Sequence, residues 1–282
     1  MNEAQTILPH IAGAIEVRPT FVPRSGVTHI VFDFDGTLSW LRHGWPEIML
    51  DGFRKRLPRL FGDTDAALDE LMLGVIFGMN GRPTILQMQR FAEIVSDRGG
   101  PVLEPEMLRR EFQDRLDTEI AARTELVRSG QAQRDDFVVF AARPVLERLQ
   151  RDGLTPIVLS STVEERVKEE ADILGLAPFF GRHIYGSTGD PTQFSKMAVF
   201  QRLLREEGIG GEHLLSFGDG PVEIACTKEL GGLAIAVCSD ETHNGSGVMD
   251  AFKRRQLLDA GADAAIPDFR DALAILDYLV PR

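Results

Sequence analysis

The stretch Ile30-Val31-Phe32-Asp33-Phe34-Asp35-Gly36-Thr37-Leu38 decides the fold of this chain of 282 residues. Its apolar run is too short for a core helix and is typical of a buried parallel strand that ends at a turn-forming glycine. Asp33 and Asp35 stand two residues apart, so in an extended segment their side chains project to the same side. Ligands bind at the carboxyl ends of strands in open α/β sheets, and both carboxylates are therefore expected to face one ligand.

Two carboxylates at a buried strand end repel each other and are costly to desolvate. The pair requires a compensating cation or a shared proton. Because carboxylate oxygens are ligands for hard cations, the motif predicts a metal ion such as Mg²⁺ at this edge of the sheet.

The composition is that of an ordinary globular protein, with 43% hydrophobic and 26% charged residues, enough for one large domain or two modest ones. No apolar run approaches the length of a membrane span, and the N-terminus lacks the basic start and apolar core of a signal peptide. The two cysteines, Cys226 and Cys238, have neither a CxxC motif nor a nearby histidine in ligand spacing. We therefore expect a cytoplasmic protein with reduced thiols, no zinc site and no membrane partner.

The formal net charge of -12 and the pI near 5.0 bear on the kind of partner. Lysine and arginine are scattered rather than arranged in a stripe, which argues against nucleic acid, because nucleic-acid binding depends on a basic footprint. A phosphorylated small molecule stays compatible with an acidic chain if lysine, backbone N–H groups and Mg²⁺ supply positive charge locally.

The pattern along the chain predicts an α/β fold, a Rossmann-like parallel sheet core with an inserted α-helical cap domain. Residues 1–26 are an N-terminal extension, either a flexible lead-in or an added edge strand. Residues 40–142 contain apolar positions at spacings of three and four and no convincing strand, which indicates a helical cap. Strands alternating with helices place the core in residues 27–39 and 143–282.

Three later segments of the core carry polar residues next to predicted elements. The apolar run Ile157-Val158-Leu159 ends at Ser160, and a second run, Leu214-Leu215-Ser216-Phe217, leads into Gly218-Asp219-Gly220. A helix is predicted over 195–206, with Lys196 at its start, and another from Gly247 to about Ala260. Parallel strands would gather Ser160, Lys196 and Asp219 at the edge that holds the first motif.

At this point the chain resembles the haloacid dehalogenase superfamily of phosphohydrolases, whose four motifs it matches in order over roughly residues 27–280. Asp33-Phe34-Asp35-Gly36-Thr37 matches the first motif, Leu159-Ser160 the second, Lys196 the third, and Gly218-Asp219 with Glu223 the fourth. The helical segment occupies the position of that family's cap, as in proteins of the phosphoglycolate phosphatase and β-phosphoglucomutase type.

The chemistry of phosphoryl transfer gives each of these residues a role. A phosphomonoester dianion repels a carboxylate nucleophile, so Mg²⁺, a lysine and hydroxyl donors must first neutralise the phosphoryl oxygens. Asp33 is the expected nucleophile, and Asp35 is the expected acid for the leaving oxygen and base for water. The resemblance implies the same two roles.

The remaining motif residues are expected to hold the metal and the phosphoryl group. Asp219 would ligate Mg²⁺ directly, and Glu223 directly or through water. Asp33 is expected to contact the same metal through its carboxylate, and the resemblance adds the backbone carbonyl of Asp35 to the metal ligands. Ser160 and Lys196 would hold the transferring group.

Two of these assignments rest on a choice between neighbours or equivalents. Ser161 competes with Ser160, which is favoured because it follows the apolar strand directly. Lys196 lies between the second and fourth motifs and also opens a helix. The other lysines do not meet both conditions; they are Lys55, Lys168, Lys228 and Lys253.

Specificity is expected to lie in the cap, because a lid that closes over the site places its side chains on the leaving group. The candidates follow the first motif or the Asn80-Gly81 turn. They are Arg42, His43, Trp45, Arg82, Thr84 and Gln87.

The sequence therefore predicts a Mg²⁺-dependent phosphatase that hydrolyses a small phosphomonoester, a sugar phosphate, through an aspartyl-phosphate. A mutase similar to β-phosphoglucomutase is the alternative among enzymes, with His43 or Arg82 as the only indications. A binding protein on the same fold is the alternative outside enzymes, and it would have lost motif residues that are all present here.

Overall fold

The computed structural model describes residues 15–19, 21–79, 82–187 and 194–280 of the protein. Its centre is a seven-stranded sheet in which the first motif strand lies between two parallel neighbours. The strands are β1 (Glu16–Val17), β2 (His29–Phe32), β3 (Thr155–Val163), β4 (Ile184–Ser187), β5 (Leu214–Gly218), β6 (Leu233–Val237) and β7 (Ala264–Ile266).

The spatial order of the strands is β1-β7-β6-β5-β2-β3-β4. All neighbours pair in parallel except β1 and β7, which are antiparallel. In β2, Phe32 pairs with Val158 of β3 and with Phe217 of β5, so the residues that follow these three strands meet at one edge. Every residue of β2, β5 and β6 is buried, as expected for a parallel sheet covered on both faces.

The N-terminal extension contributes the edge strand β1. Of the two alternatives predicted for residues 1–26, the structure therefore shows the added edge strand in the part that it describes. Glu16 and Val17 pair with β7, and the Glu16 carboxylate accepts two hydrogen bonds from Arg254, at 2.5 and 2.7 Å. Residues 1–14 lie outside the described ranges.

The cap is formed by helices that share an apolar core of their own, separate from the core beneath the sheet. The rings of Phe53 and Phe91 stack at its centre with centroids 3.8 Å apart. The helices are α1 (Trp45–Arg54), α2 (Asp65–Gly78), α3 (Thr84–Asp97) and α4 (Pro105–Arg128).

The chain enters and leaves the cap side by side. Ser39 forms an antiparallel bridge with Val138, and the Val139 N–H donates to the Leu38 carbonyl at 2.9 Å. The Arg123 guanidinium of α4 donates to the carbonyl of Leu41, at 2.6 Å, just beyond this bridge. The two crossings therefore form one short hinge.

The other helices pack on the sheet and confirm the α/β class. They are α5 (Ala142–Arg151), α6 (Glu164–Ile173), α7 (Ala177–Phe180), α8 (Lys196–Glu207), α9 (Pro221–Glu229), α10 (Ala251–Asp259) and α11 (Ala272–Leu279). Among the residues described, no helix is both long and apolar enough to cross a membrane.

Two predicted element limits were wrong. The helix expected from Gly247 begins at Ala251, because the Asp250 side chain accepts from the Phe252 and Lys253 N–H groups and caps the helix there. The strand expected to end at Leu159 continues as β3 to Val163, with a shift of register against β4 between those two residues. The polar residues after Leu159 are thus still in the sheet.

We predict that Phe91→Ala lowers the free energy of unfolding by about 3–5 kcal/mol, because Phe91 is fully buried and stacked on Phe53. Denaturant titration measures this loss. Val102→Ala, at a side chain that is 90% exposed, is the control and should change the value by less than about 0.5 kcal/mol. Equal losses in the two variants would contradict a packed cap core.

Candidate active site

The first motif turns sharply beside the fourth. The Asp33 N–H still donates to the Phe217 carbonyl of β5, at 2.9 Å, and the Asp33 carboxylate accepts from the Phe34 N–H at 2.9 Å. Gly36 follows with φ +75°, and a Cβ on it would overlap Oδ2 of Asp219. Only glycine allows both this backbone conformation and this close approach.

Three buried carboxylates converge at the carboxyl edge of the sheet. Asp33 follows β2, Asp219 follows β5, and Glu223 lies in the first turn of α9. One oxygen of each lies within 4.8 Å of the other two. Glu223 is also held by the Gly220 N–H, which donates to its Oε1 at 2.5 Å.

Lys196 is the cation between two of these acids. It is the first residue of α8, and its ammonium lies 3.0 Å from Oδ2 of Asp33 and 2.9 Å from Oε2 of Glu223. Burial acts to lower the pKa of Lys196, but Asp33 and Glu223 more than offset this effect and raise it above the ordinary value. Lys196 is therefore charged in the folded protein.

The acidic cluster fits a divalent cation. Burial raises the pKa values of Asp219 and Glu223 above their ordinary range, while Lys253 and Lys196 respectively oppose the shift. Ionised carboxylates that are buried this close together repel each other, and a bound cation offsets that repulsion. The donors are all oxygens, the type that Mg²⁺ and other hard cations prefer.

Asp35 lies beside the cluster, where one of its oxygens accepts a hydrogen bond and the other faces a guanidinium group. The Thr162 hydroxyl donates to Oδ2 at 2.7 Å, and Nε of Arg42 lies 2.7 Å from Oδ1. Arg42 is buried and also pairs with Glu170 of α6. Burial raises the pKa of Glu170 to about 7, although Arg42 opposes the shift.

The second motif presents three hydroxyl groups in succession. Ser160 is buried, and its Oγ accepts from the Thr162 N–H at 3.0 Å. Ser160, Ser161 and Thr162 all line the same cavity. The choice between Ser160 and Ser161 as a phosphate ligand therefore stays a prediction.

A cavity of about 140 Å³ separates these residues from the cap. Five of the six cap residues proposed from the sequence line it: Arg42, Trp45, Arg82, Thr84 and Gln87. The sixth, His43, is not among the lining residues. Its ring stacks on Trp40 at 3.7 Å, and its Nδ1 lies 2.7 Å from the Trp40 carbonyl.

Sequence reasoning missed several residues of this cavity. Phe112 and Leu116 fit the apolar spacing of α4, which is equally typical of cap core, and Met49 and Gln113 belong to no motif. Thr162 lies beyond the predicted end of its strand. To find them from the sequence, one would have to know which face of each cap helix is turned to the cavity and where β3 ends.

Lys253 is the other residue that the sequence prediction passed over. It is buried on α10, and its ammonium lies 3.2 Å from Oδ2 of Asp219. Lys253 and Leu257 form the buried face of this helix. The available signal was a lysine four residues before a leucine on that face. Because this lysine comes after the fourth motif, the order of the motifs did not assign it to the site.

A larger cavity, of about 560 Å³, lies among the cap helices α1, α3 and α4. It contains none of the motif residues. It shares Met49 and Phe112 with the smaller cavity, so these two side chains form a wall between the two spaces.

A parallel sheet that gathers an acidic cluster, a lysine and a capping helical insert at one edge defines the class of hydrolases that the sequence motifs indicated. The chain belongs to the haloacid dehalogenase-like hydrolases, whose family model matches residues 27–231. The predicted family and fold are thereby confirmed.

Solved structures of low sequence identity share the fold over most of both chains. A haloacid dehalogenase-like protein of unknown function from Agrobacterium tumefaciens is 18% identical, with a TM-score of 0.62 and coverage of 89% of this chain and 98% of that one. A predicted phosphoglycolate phosphatase from Haemophilus somnus is 16% identical, with a TM-score of 0.58 and the same coverages of 89% and 98%.

A third structure was solved with ligands. It is a family hydrolase from Deinococcus radiodurans with bound phosphate and sodium, 18% identical, with a TM-score of 0.55 and coverage of 92% of this chain and 100% of that one. No curated protein matches the chain.

We predict that Gly36→Ala removes the stabilisation of the protein by Mg²⁺, because the new Cβ would push the Asp219 carboxylate out of the cluster. The melting temperature with and without the metal measures this effect. Gly153→Ala is the matched control, since Gly153 has φ +70° but no atom within 4 Å of the point that a Cβ would occupy. It should lose about 1–2 kcal/mol from backbone strain and keep the full metal response. An equal metal response in both variants would contradict the close approach.

Proposed function

We propose that the protein is a Mg²⁺-dependent phosphomonoester hydrolase that acts on a small phosphorylated metabolite of the sugar phosphate class. The observation that carries this proposal is the convergence of Asp33, Asp219, Glu223 and Lys196, with Asp35 beside them, at one edge of the sheet. A binding protein would not need a nucleophile, a second carboxylate and a cation in this arrangement.

Charge neutralisation is the first requirement of the reaction. A phosphomonoester dianion approaching four carboxylates is repelled unless cations surround it. When bound, Mg²⁺ supplies the positive charge that neutralises the phosphoryl oxygens. Asp33, Asp219, Glu223 and the Asp35 carbonyl are the residues that would hold it. Lys196 and the Ser160 hydroxyl supply the remaining donors.

The reaction then proceeds in two displacements. Asp35 enters the first displacement protonated. The Asp33 carboxylate attacks phosphorus and forms a new oxygen–phosphorus bond, the bond from phosphorus to the ester oxygen breaks, and the ester oxygen leaves with the proton of Asp35. Water next attacks the aspartyl-phosphate and gives its proton to Asp35. The bond between Asp33 and phosphorus breaks, and inorganic phosphate leaves with both carboxyl groups restored.

Thr162 and Arg42 orient Asp35 for these proton transfers. Because both oxygens of Asp35 are in contact with them, one contact must open before Asp35 can reach the leaving oxygen. Arg42 is the better candidate to move, since Glu170 offers its guanidinium a second partner.

The cavity supports a small substrate. Its volume of about 140 Å³ lies below the range of about 300–1,000 Å³ that is usual for ligand pockets, which favours a small phosphate ester. In the described part of the chain, Arg82 has no ion-pair partner, although it lines this cavity. We infer that it pairs with a second anionic group on the substrate.

Two of the solved structures that share this fold are consistent with the proposal, which does not depend on them. The Haemophilus protein is named as a predicted phosphoglycolate phosphatase, and the Deinococcus structure holds phosphate and a metal cation. A cytoplasmic location stays a prediction from the sequence.

We predict that Asp33→Asn lowers Mg²⁺-dependent phosphate release at least about 1,000-fold, because an amide cannot form the acyl-phosphate. The assay is phosphate release from sugar phosphates, nucleotides and phosphoglycolate, with Mg²⁺ or with EDTA. Asp277→Asn, at an exposed ion pair with Arg148, is the control and should keep the full rate.

Three outcomes would speak against the proposal. Phosphate release that persists in Asp33→Asn would exclude this nucleophile. Isomeric phosphates without free phosphate would show a mutase, and no turnover on any substrate, with binding retained, would show a binding protein.

We predict that Arg82→Ala raises KM about tenfold or more for substrates with a second anionic group and changes kcat little, because a charge-assisted hydrogen bond contributes about 1.5–3 kcal/mol. Steady-state kinetics compares phosphoglycolate, which carries a second anionic group, with a phosphomonoester whose leaving group is uncharged. Arg90→Ala, at an exposed arginine paired with Glu93 on α3, is the control. An unchanged KM for both esters would place Arg82 outside the substrate site.

A further inference from the structure

Lys253 is a buried cation that the proposed reaction does not use. An ammonium group has three N–H donors, and all three have acceptors here. Oδ2 of Asp219 lies at 3.2 Å, Oγ of Ser239 at 3.0 Å and Oε1 of Glu241 at 2.5 Å. Burying an ammonium group is costly, and an apolar side chain would fill the space on α10 without that cost.

The contacts of Lys253 mirror those of Lys196. Each lysine lies between two carboxylates, Lys196 between Asp33 and Glu223 and Lys253 between Asp219 and Glu241. With all groups ionised, four carboxylates and two ammonium groups leave a formal charge of -2. One divalent cation balances that charge, whereas loss of Lys253 would leave one negative charge more.

The partners of Lys253 connect the acidic cluster to the first motif and to the cap. The Ser239 hydroxyl donates to the Gly36 carbonyl at 2.8 Å, in the turn that approaches Asp219. Oε2 of Glu241 accepts from the Gly44 N–H at 3.2 Å, directly before α1. One ammonium group thus touches a network that reaches both sides of the site.

We propose that Lys253 is a positioning residue for Asp219: it serves as the fixed counter-ion that keeps this carboxylate in place when the metal is absent. Asp219 would contact both Lys253 and the metal when Mg²⁺ is bound. The inference rests on the proposed function only in taking Asp219 as a ligand of a divalent cation.

The proposal predicts that Mg²⁺ compensates for the loss of Lys253. In EDTA, Lys253→Met should melt about 5–10 °C below the unmodified protein, because Asp219 and Glu241 lose their buried partner. Saturating MgCl₂ should restore most of that loss, so the metal raises the melting temperature more than in the unmodified protein. Differential scanning fluorimetry of the full chain measures both values.

Lys228→Met is the matched control. Lys228 also forms a partly buried pair, with both oxygens of Asp263 at 2.7 Å, and none of its recorded partners belongs to the acidic cluster. Its melting temperature should fall, and MgCl₂ should raise it only as much as in the unmodified protein. A merely structural role of Lys253 predicts the same behaviour for both variants.

Glu241→Gln tests the same idea with the opposite sign and covers the case in which Lys253→Met does not fold. It removes one negative charge and leaves Asp219 as the carboxylate that pairs with Lys253, so MgCl₂ should raise the melting temperature less than in the unmodified protein.

The outcomes separate this inference from the proposed function. If the unmodified protein responds to MgCl₂ and releases phosphate, an equal response of Lys253→Met and Lys228→Met, or an undiminished response of Glu241→Gln, overturns the role of Lys253 alone. Absence of any response to MgCl₂ in the unmodified protein overturns both proposals.

Discussion

Repulsion among buried carboxylates is the constraint on which the rest of this structure depends. Asp33, Asp219 and Glu223 are held within 4.8 Å of one another, where their ionised forms are strongly disfavoured without nearby cations. The fold supplies those cations from helices that connect strands of the sheet, Lys196 from α8 between β4 and β5 and Lys253 from α10 between β6 and β7. By aligning the ends of β2 and β5, the parallel sheet brings the carboxylates together. The lysines of α8 and α10 offset the repulsion between them.

The inserted segment also contributes charge at this edge of the sheet. Arg42, just beyond the hinge, reaches Asp35, while the cap helices close the cavity with Met49, Phe112 and Leu116. The reacting end of the cavity is therefore charged, while its cap side combines those three apolar side chains with polar ones, Arg82, Thr84, Gln87 and Gln113.

The sequence was sufficient for features that depend on local pattern. The apolar run before Asp33 specified a buried parallel strand, and helical periodicity specified the cap, because each of these follows from burial of one short segment. The limits of β3 and α10 were wrong, since they depend on the pairing partner β4 and on the cap formed by the Asp250 side chain.

The residues missed at the site are those whose position depends on tertiary packing. Lys253 has no motif around it, and only the docking of α10 beside β6 brings its ammonium to Asp219. Phe112 and Leu116 have the same spacing whether they face the cap core or the cavity. The five cap residues that do line the cavity followed from their position after the first motif and the Asn80-Gly81 turn, while His43, from the same segment, turns toward Trp40 instead.

The bridge between Ser39 and Val138 has a consequence for how such proteins diversify. Because the segment between them leaves and rejoins the core at adjacent points, a different insert of any length could span that gap without moving a strand of the sheet. The cap buries its own apolar residues, so its loss would expose little of the core. Substrate choice can thus change with the insert while the core keeps its acidic cluster, and Arg42 is the residue of the insert that contacts Asp35.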